Sequence, residues 1–133
     1  MRAGGLNWIA VLGAAIAIYA VGFVIYGLVV PPEQWMAMSG ETEEQLMAVN
    51  RMAYSPIMPL LTAIFLAILF KWGSVDSAGK GARWAAVVAM ASAVPALLYG
   101  WVYGTGPIEM TLIDGGHLLL GHVAAGAILG RWR

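Results

Sequence analysis

Residues 6–30 read LNWIAVLGAAIAIYAVGFVIYGLVV, twenty-five positions without a charge. A bilayer core is about 30 Å thick, so a helix crosses it in roughly 20 apolar residues. The stretch therefore predicts a membrane-spanning helix. It exceeds the roughly 7–15 residues of a secretory signal core, and no small-residue cleavage site follows it. It is read as a retained span. Working outward, three more apolar stretches qualify, at about residues 52–71, 83–103 and 110–130. The second opens on Tyr54, Ser55, Pro56 and Pro59, and the fourth contains Asp114, His117 and His122. These runs are too long for strands and lack the alternation of a transmembrane barrel. The expected fold is all-α: a single membrane domain over 1–133, a four-helix bundle with antiparallel up-down topology.

Composition agrees. Hydrophobic residues make up 61% of the 133 and charged residues 11%, against roughly 25% charged in soluble domains. Too few charges remain to coat a water-facing surface, which argues against a disordered chain or an ordinary soluble enzyme. Seven basic and seven acidic residues cancel, so no net field recruits a polyanion and no nucleic-acid partner is expected. Cys is absent, which excludes disulfides and thiolate chemistry. The lipid bilayer is the partner that composition demands.

Basic residues set the expected orientation. Arg2, Lys71, Lys80, Arg83, Arg131 and Arg133 fall on one side of the four spans, and only Arg51 on the other, with Glu33, Glu41, Glu43, Glu44 and Glu109. Both termini are therefore expected in the cytoplasm. Trp8, Trp72, Trp84 and Trp132 fall at the same ends, while Tyr26, Tyr54, Trp101 and Tyr103 mark the opposite interface.

The connection 31–51 is the only long one. Pro31-Pro32 is expected to stop span one. Thr42 and Gln45 have capping-box spacing, so a short external helix is expected to start near Thr42. It either extends toward span two, with Pro56 as a kink, or belongs to a plain solvated connector. Its acidic, Met-rich character (Met36, Met38, Met47, Met52) suits a membrane interface. The turn Gly104-Thr105-Gly106-Pro107 makes spans three and four neighbours.

Ionisable groups inside a span are costly and are candidate functional residues. Asp114 and His117, three apart, share a helix face and suit a hydrogen-bonded or ionic pair. Two readings stand for Asp114: an interfacial cap in a Thr111–Asp114 capping box that starts span four, or a proton or cation site. His117 is either its pH-sensitive partner or a neutral imidazole bonded to Asp114 or a tyrosine. Ser92, Tyr99 and Tyr103 fall on one face of span three; either Tyr99 and Tyr103 join Asp114 and His117 in an outward-opening polar pocket, or these hydroxyls only bond across the helices of the bundle. Pro95 interrupts the backbone ladder beside them. Tyr19 and Tyr26 share a face of span one. His122 lies instead with Gly115, Gly126 and Gly130, a small-residue face for close helix packing. Gly13, Ala14, Ala17, Ala20 and Gly22 supply a comparable face on span one, for packing inside the chain or in a homo-oligomer.

The spacing of five between His117 and His122 is wrong for two metal ligands on one helix, and His occurs in one span only, so neither metal nor haem is expected. No paired acid, base and nucleophile appears, so no catalytic residue, cofactor or enzyme activity is expected.

One further pattern runs the length of the chain. Asn7-Trp8-Ile9-Ala10-Val11, Gly22, Tyr26-Gly27, Trp35, Gly40 and Thr42-Glu43-Glu44 open it. Ile113-Asp114-Gly115-Gly116-His117 and Gly126-Ala127-Ile128-Leu129-Gly130 close it. In their order and spacing these resemble the bacterial membrane family catalogued as domain of unknown function 1761. The resemblance implies four spans in a bacterial cytoplasmic (inner) membrane and carries no activity. It implies Asp at position 114, which favours a role beyond capping. Ile25 and His117 depart from it, standing where aromatics are usual. The functional expectation is an oligomeric small-solute or proton-linked permease, with Asp114 as its proton or cation site. The alternative is an accessory subunit packing against a larger membrane complex.

Overall fold

The computed structural model describes residues 2–47 and 53–132. The chain opens with a two-residue hairpin, β1 (Arg2–Ala3) paired antiparallel with β2 (Leu6–Asn7). Its turn residues Gly4 and Gly5 have φ of 62° and 76°, the left-handed pair that a two-residue hairpin turn requires. Asn7 then caps α1 (Trp8–Val24), its side-chain oxygen accepting from the Ile9 and Ala10 amides. The helix continues as a π-turn over Ile25–Val29, where the ladder widens and Val30 donates to the Ile25 carbonyl.

Pro31-Pro32 ends that helix and also starts another. Pro31 caps α2 (Pro32–Ser39) and Pro32 occupies its first position, where a missing N–H costs nothing. Gly40, at φ 71°, closes it. This helix was not expected, and Pro at the first helical position was its available signal. The expected capping box is present at the start of α3 (Glu43–Met47). Thr42 donates its amide to Gln45 Oε1 at 2.8 Å, and Gln45 donates its amide to Thr42 Oγ1 at 3.2 Å.

The helix of the second apolar stretch, α4, runs over Ile57–Trp72 and so is shorter than the expected 52–71 span. Met52 and Arg51 lie outside the described residues. Ala53 and Tyr54 form a 3-10 turn, and Pro56 caps α4 with Pro59 inside its first turn, where no amide partner is needed. Two prolines three apart thus set the start of the helix, and α3 does not continue into it. At 16 residues α4 is about 24 Å long.

The third span is one rod in three parts: α5 (Ala78–Val88), a π-turn over Ala89–Ala93, and α6 (Val94–Tyr103). Pro95 explains the middle. It has no amide to offer, and the ladder adjusts by widening, with Val94 donating to the Ala89 carbonyl. Last comes α7 (Ile108–Arg131), 24 residues long.

Helix α7 is the hub, packing against α5, α1, α6 and α4, while α4 also leans on α1. The core is built from Val11, Ala14, Ile18, Ala63, Leu66, Phe70, Val75, Ala85, Ala125 and Leu129. Alanine supplies four of these ten, and small residues of this kind let helix backbones approach closely. Gly126 and Gly130 lie directly on Gly81 and Ser77, so that a methyl group at Gly81 would sit 2.1 Å from the Gly126 carbonyl oxygen. Large apolar residues point outward all round the molecule, among them Ile16, Phe23, Leu28, Phe65, Val87 and Leu112, as a hydrocarbon solvent permits.

By length and composition, Trp8–Val29, Ala78–Tyr103 and Ile108–Arg131 are each able to cross a membrane, and Ile57–Trp72 is a shorter apolar helix. The chain is thus a helical protein with the marks of a membrane protein.

The two ends of the described chain meet. The Asn7 side chain donates to the Trp132 carbonyl at 3.3 Å, and Lys71 Nζ donates to the Gly4 carbonyl at 3.0 Å. Lys80 bonds the Ser74 carbonyl and lies 3.8 Å from Asp76 in the neighbouring loop. Arg133 lies outside the described residues.

Candidate functional site

Asp114 is the seventh residue of α7, about 9 Å along the helix from its first residue. Pro107 caps this helix, and α7 already runs through Thr111. The capping-box reading of Asp114 is thereby corrected: Ile108–Met110 extend the helix a turn earlier, and the carboxylate faces α1 instead.

Its partner there is Tyr26. The phenol hydroxyl donates a hydrogen bond to Asp114 Oδ1, and the phenol oxygen lies 3.4 Å from His117 Nδ1. Asp114 and His117 are therefore joined through a phenol rather than paired directly. Two local features make this reach possible. The π-turn at Ile25–Val29 places Tyr26 within a widened turn, a device that re-aims side chains at functional sites. Gly22, one turn earlier, leaves room for the imidazole, since a methyl group there would lie 3.0 Å from His117 Nε2. That Nε2 is buried and has no hydrogen-bonding partner among the described residues.

Aromatic rings close the cluster. Tyr26 meets His117 edge to face at 5.2 Å between centroids and Trp35 at 5.4 Å. Trp35 comes from α2, so this unexpected helix covers the site. Asp114, His117, Tyr26 and Trp35 are all partly buried.

The chemistry of this set is proton handling. A neutral phenol donates one proton and accepts another through its lone pairs. A proton on His117 Nδ1 can pass to the Tyr26 oxygen as the Tyr26 proton passes to Asp114. No other bond is made or broken. The geometry thus allows the carboxylate and imidazole to exchange a proton through one oxygen.

Other expected members fall elsewhere. Tyr99 and Tyr103 stack on each other at 6.1 Å and are 67% and 81% exposed. They make no hydrogen bond to Asp114 or His117 among the described residues. Tyr26 takes the place expected for them, because span one rather than span three presents its tyrosine to this part of α7. Ser92 donates to the Val88 carbonyl of its own helix at 2.7 Å, and Tyr19 bonds Ser55 at 3.0 Å.

His122 is buried as the packing reading requires, but it bonds its own helix, Nδ1 donating to the Leu118 carbonyl at 2.6 Å. Gly126 and Gly130 form the close seam with α5. Gly115 does not join it, since a methyl group there would meet nothing within 4 Å. The close approach of α5 and α7 lies instead where Gly81 meets Gly126 and Gly130. On span one, Gly13 faces Trp132 and Ile128, and Gly22 faces His117, so both serve contacts inside the chain.

Tyr26 and Trp35 stood in the sequence pattern that carried the family resemblance, without an assigned role. Together with Gly22 and Asp114 they converge here from three helices. The chain matches no curated protein and no solved structure. Residues 9–130, which include every member of this cluster, match one sequence family. The chain belongs to the family described as "Protein of unknown function (DUF1761)".

Proposed function

We propose that this chain is a multi-pass protein of the bacterial inner membrane that moves protons, alone or coupled to a small solute, through the His117–Tyr26–Asp114 relay. In this reading it crosses four times in an up-down bundle with both termini in the cytoplasm, and α4 makes its short crossing with Lys71 reaching back to the interface. The relay then sits toward the outer face beneath Trp35. Four spans enclose little of a path, so the working unit is a homo-oligomer. The role is binding and transfer of protons rather than catalysis of a covalent reaction.

One observation carries the proposal: a carboxylate and an imidazole within a span are joined through a single phenol oxygen. Charged and titratable groups at that depth are retained at a cost and mark ion or proton pathways. The test is reconstitution into liposomes with a trapped pH-sensitive dye and an imposed potassium diffusion potential. Wild-type protein acidifies or alkalinises the lumen according to the sign of the potential, and Asp114→Asn abolishes this. Flux unchanged in Asp114→Asn refutes the relay.

A second reading, an accessory subunit of a larger membrane complex, is favoured by the Ala78–Tyr103 rod, the least buried of the three long apolar helices. A stoichiometric partner retained in mild detergent supports it, and recovery of a self-assembled oligomer alone counts against it.

A further inference from the structure

Helices α4 and α5 both lean on α7 rather than on each other. Trp84 of α5 closes the gap between them at one end, against Gly73, where a methyl group would meet the indole at 2.7 Å. Above that contact lies a cavity of about 220 Å³, lined by Thr62, Phe65, Leu66 and Leu69 of α4, Val88 of α5 and His122 of α7. It lies within the apolar stretches of these helices, since His122 is the fifteenth of 24 residues in α7.

Two of the lining residues, Thr62 and His122, carry polar side chains, and their chemistry is complementary. His122 is 8% exposed, and its Nδ1 donates to the Leu118 carbonyl at 2.6 Å. A carbonyl only accepts, so the Nδ1 carries the proton and, in the neutral ring, Nε2 presents a bare lone pair. The Thr62 hydroxyl has a proton to donate. Among the described residues neither His122 Nε2 nor the Thr62 hydroxyl has a hydrogen-bonding partner. Polar groups left unmatched in an apolar setting are costly. Here one acceptor and one donor belong to residues that line the same cavity, with no charged residue in that lining.

We infer that the cleft between α4 and α5 binds a membrane-soluble molecule with a neutral hydroxyl on a compact apolar ring, of the phenol or hydroquinone class. One hydroxyl satisfies both wall atoms, donating to His122 Nε2 and accepting from Thr62. The remaining lining is aliphatic apart from Phe65, and 64% of Phe65 is exposed at the rim. The volume suits a ring, since an apolar protein cavity of about 150 Å³ takes up benzene. An anion finds no cation in this lining, and a chain without a hydroxyl leaves both polar atoms unmatched. This site is separate from the Asp114 relay and does not depend on its function.

The test uses the full chain in lipid nanodiscs, labelled with 15N-histidine, and two matched probes, 4-butylphenol and its methyl ether 4-butylanisole. The readout is the Nε2 resonance that disappears in His122→Phe. The phenol is expected to shift it saturably, binding about tenfold tighter than the ether, as the loss of one hydrogen bond to a buried acceptor implies. Thr62→Val keeps the side-chain shape but removes the donor, and is expected to weaken binding of the phenol severalfold. Equal responses to phenol and ether, a phenol affinity unchanged in Thr62→Val, or no saturable shift overturns the assignment.

Discussion

The sharpest consequence of the fold is a contrast between two glycines of α5, Gly79 and Gly81. A methyl group at Gly79 meets nothing within 4 Å, whereas one at Gly81 lies 2.1 Å from the Gly126 carbonyl oxygen and 3.1 Å from Gly130 Cα. Ordinary van der Waals contact begins near 3.4 Å, so Gly81→Ala demands about 1.3 Å of local separation. The obstructing atoms are backbone and cannot rotate aside. Moving the helices apart opens the seam formed by Ser77, Ala85, Gly126 and Gly130, where even a 0.5–1 Å gap forfeits about a quarter to a half of each contact's attraction. Overpacking of this kind costs about 1–3 kcal/mol, at the upper end when backbones collide. Alanine returns at most about 1 kcal/mol through helix propensity. The expected net loss for Gly81→Ala is about 2 kcal/mol, against a change near zero or a slight gain for Gly79→Ala. Equilibrium unfolding in mixed micelles, followed by far-UV circular dichroism, measures both. Stabilities for the two variants within about 0.5 kcal/mol of each other refute the close α5–α7 crossing.

Further outcomes are expected elsewhere. Tyr26→Phe keeps the ring contacts with His117 and Trp35 but removes the shared oxygen, and is expected to cost about 1–3 kcal/mol in the same unfolding assay; it also shifts the His117 imidazole resonances, and no change in either measurement argues against the bridge. Asn7→Ala removes both the α1 cap and the tie to the Trp132 carbonyl and is expected to cost about 1–2 kcal/mol, whereas Asn7→Asp retains the cap and recovers part of that loss. Because the chain has no Cys, single cysteines report topology without background: an impermeant maleimide is expected to label Glu41→Cys but not Ser74→Cys in intact cells, and the reverse pattern inverts the proposed orientation. Gly5→Ala places a methyl group at φ 76° and 2.5 Å from Lys71 Nζ. The lysine tip can move, so the cost is expected to be the backbone term of about 1 kcal/mol, read in the same assay; a much larger loss would mean that Lys71 is held rigidly.

The membrane character of this chain was legible in residues 6–30 and in the scarcity of charge, because solvent preference is a property of composition that no fold can reverse. Local devices were equally legible where partners lie within four residues, as in the Thr42–Gln45 capping box. The Pro31-Pro32 pair was read as a stop and is also a start, since proline is excluded from helix interiors but suited to first turns. Helical periodicity placed Asp114 and His117 on one face, yet it could not say which neighbouring helix that face meets. Tertiary structure decided that Tyr26, not Tyr99 or Tyr103, joins them, and that Gly126 and Gly130, but not Gly115, lie in the tight seam. The physical reason is the same in each case. A residue's angle around its own helix follows from 3.6 residues per turn, whereas the helix it faces depends on how four rods cross, a choice made by close contacts such as Gly81 on Gly126 between residues far apart in the chain.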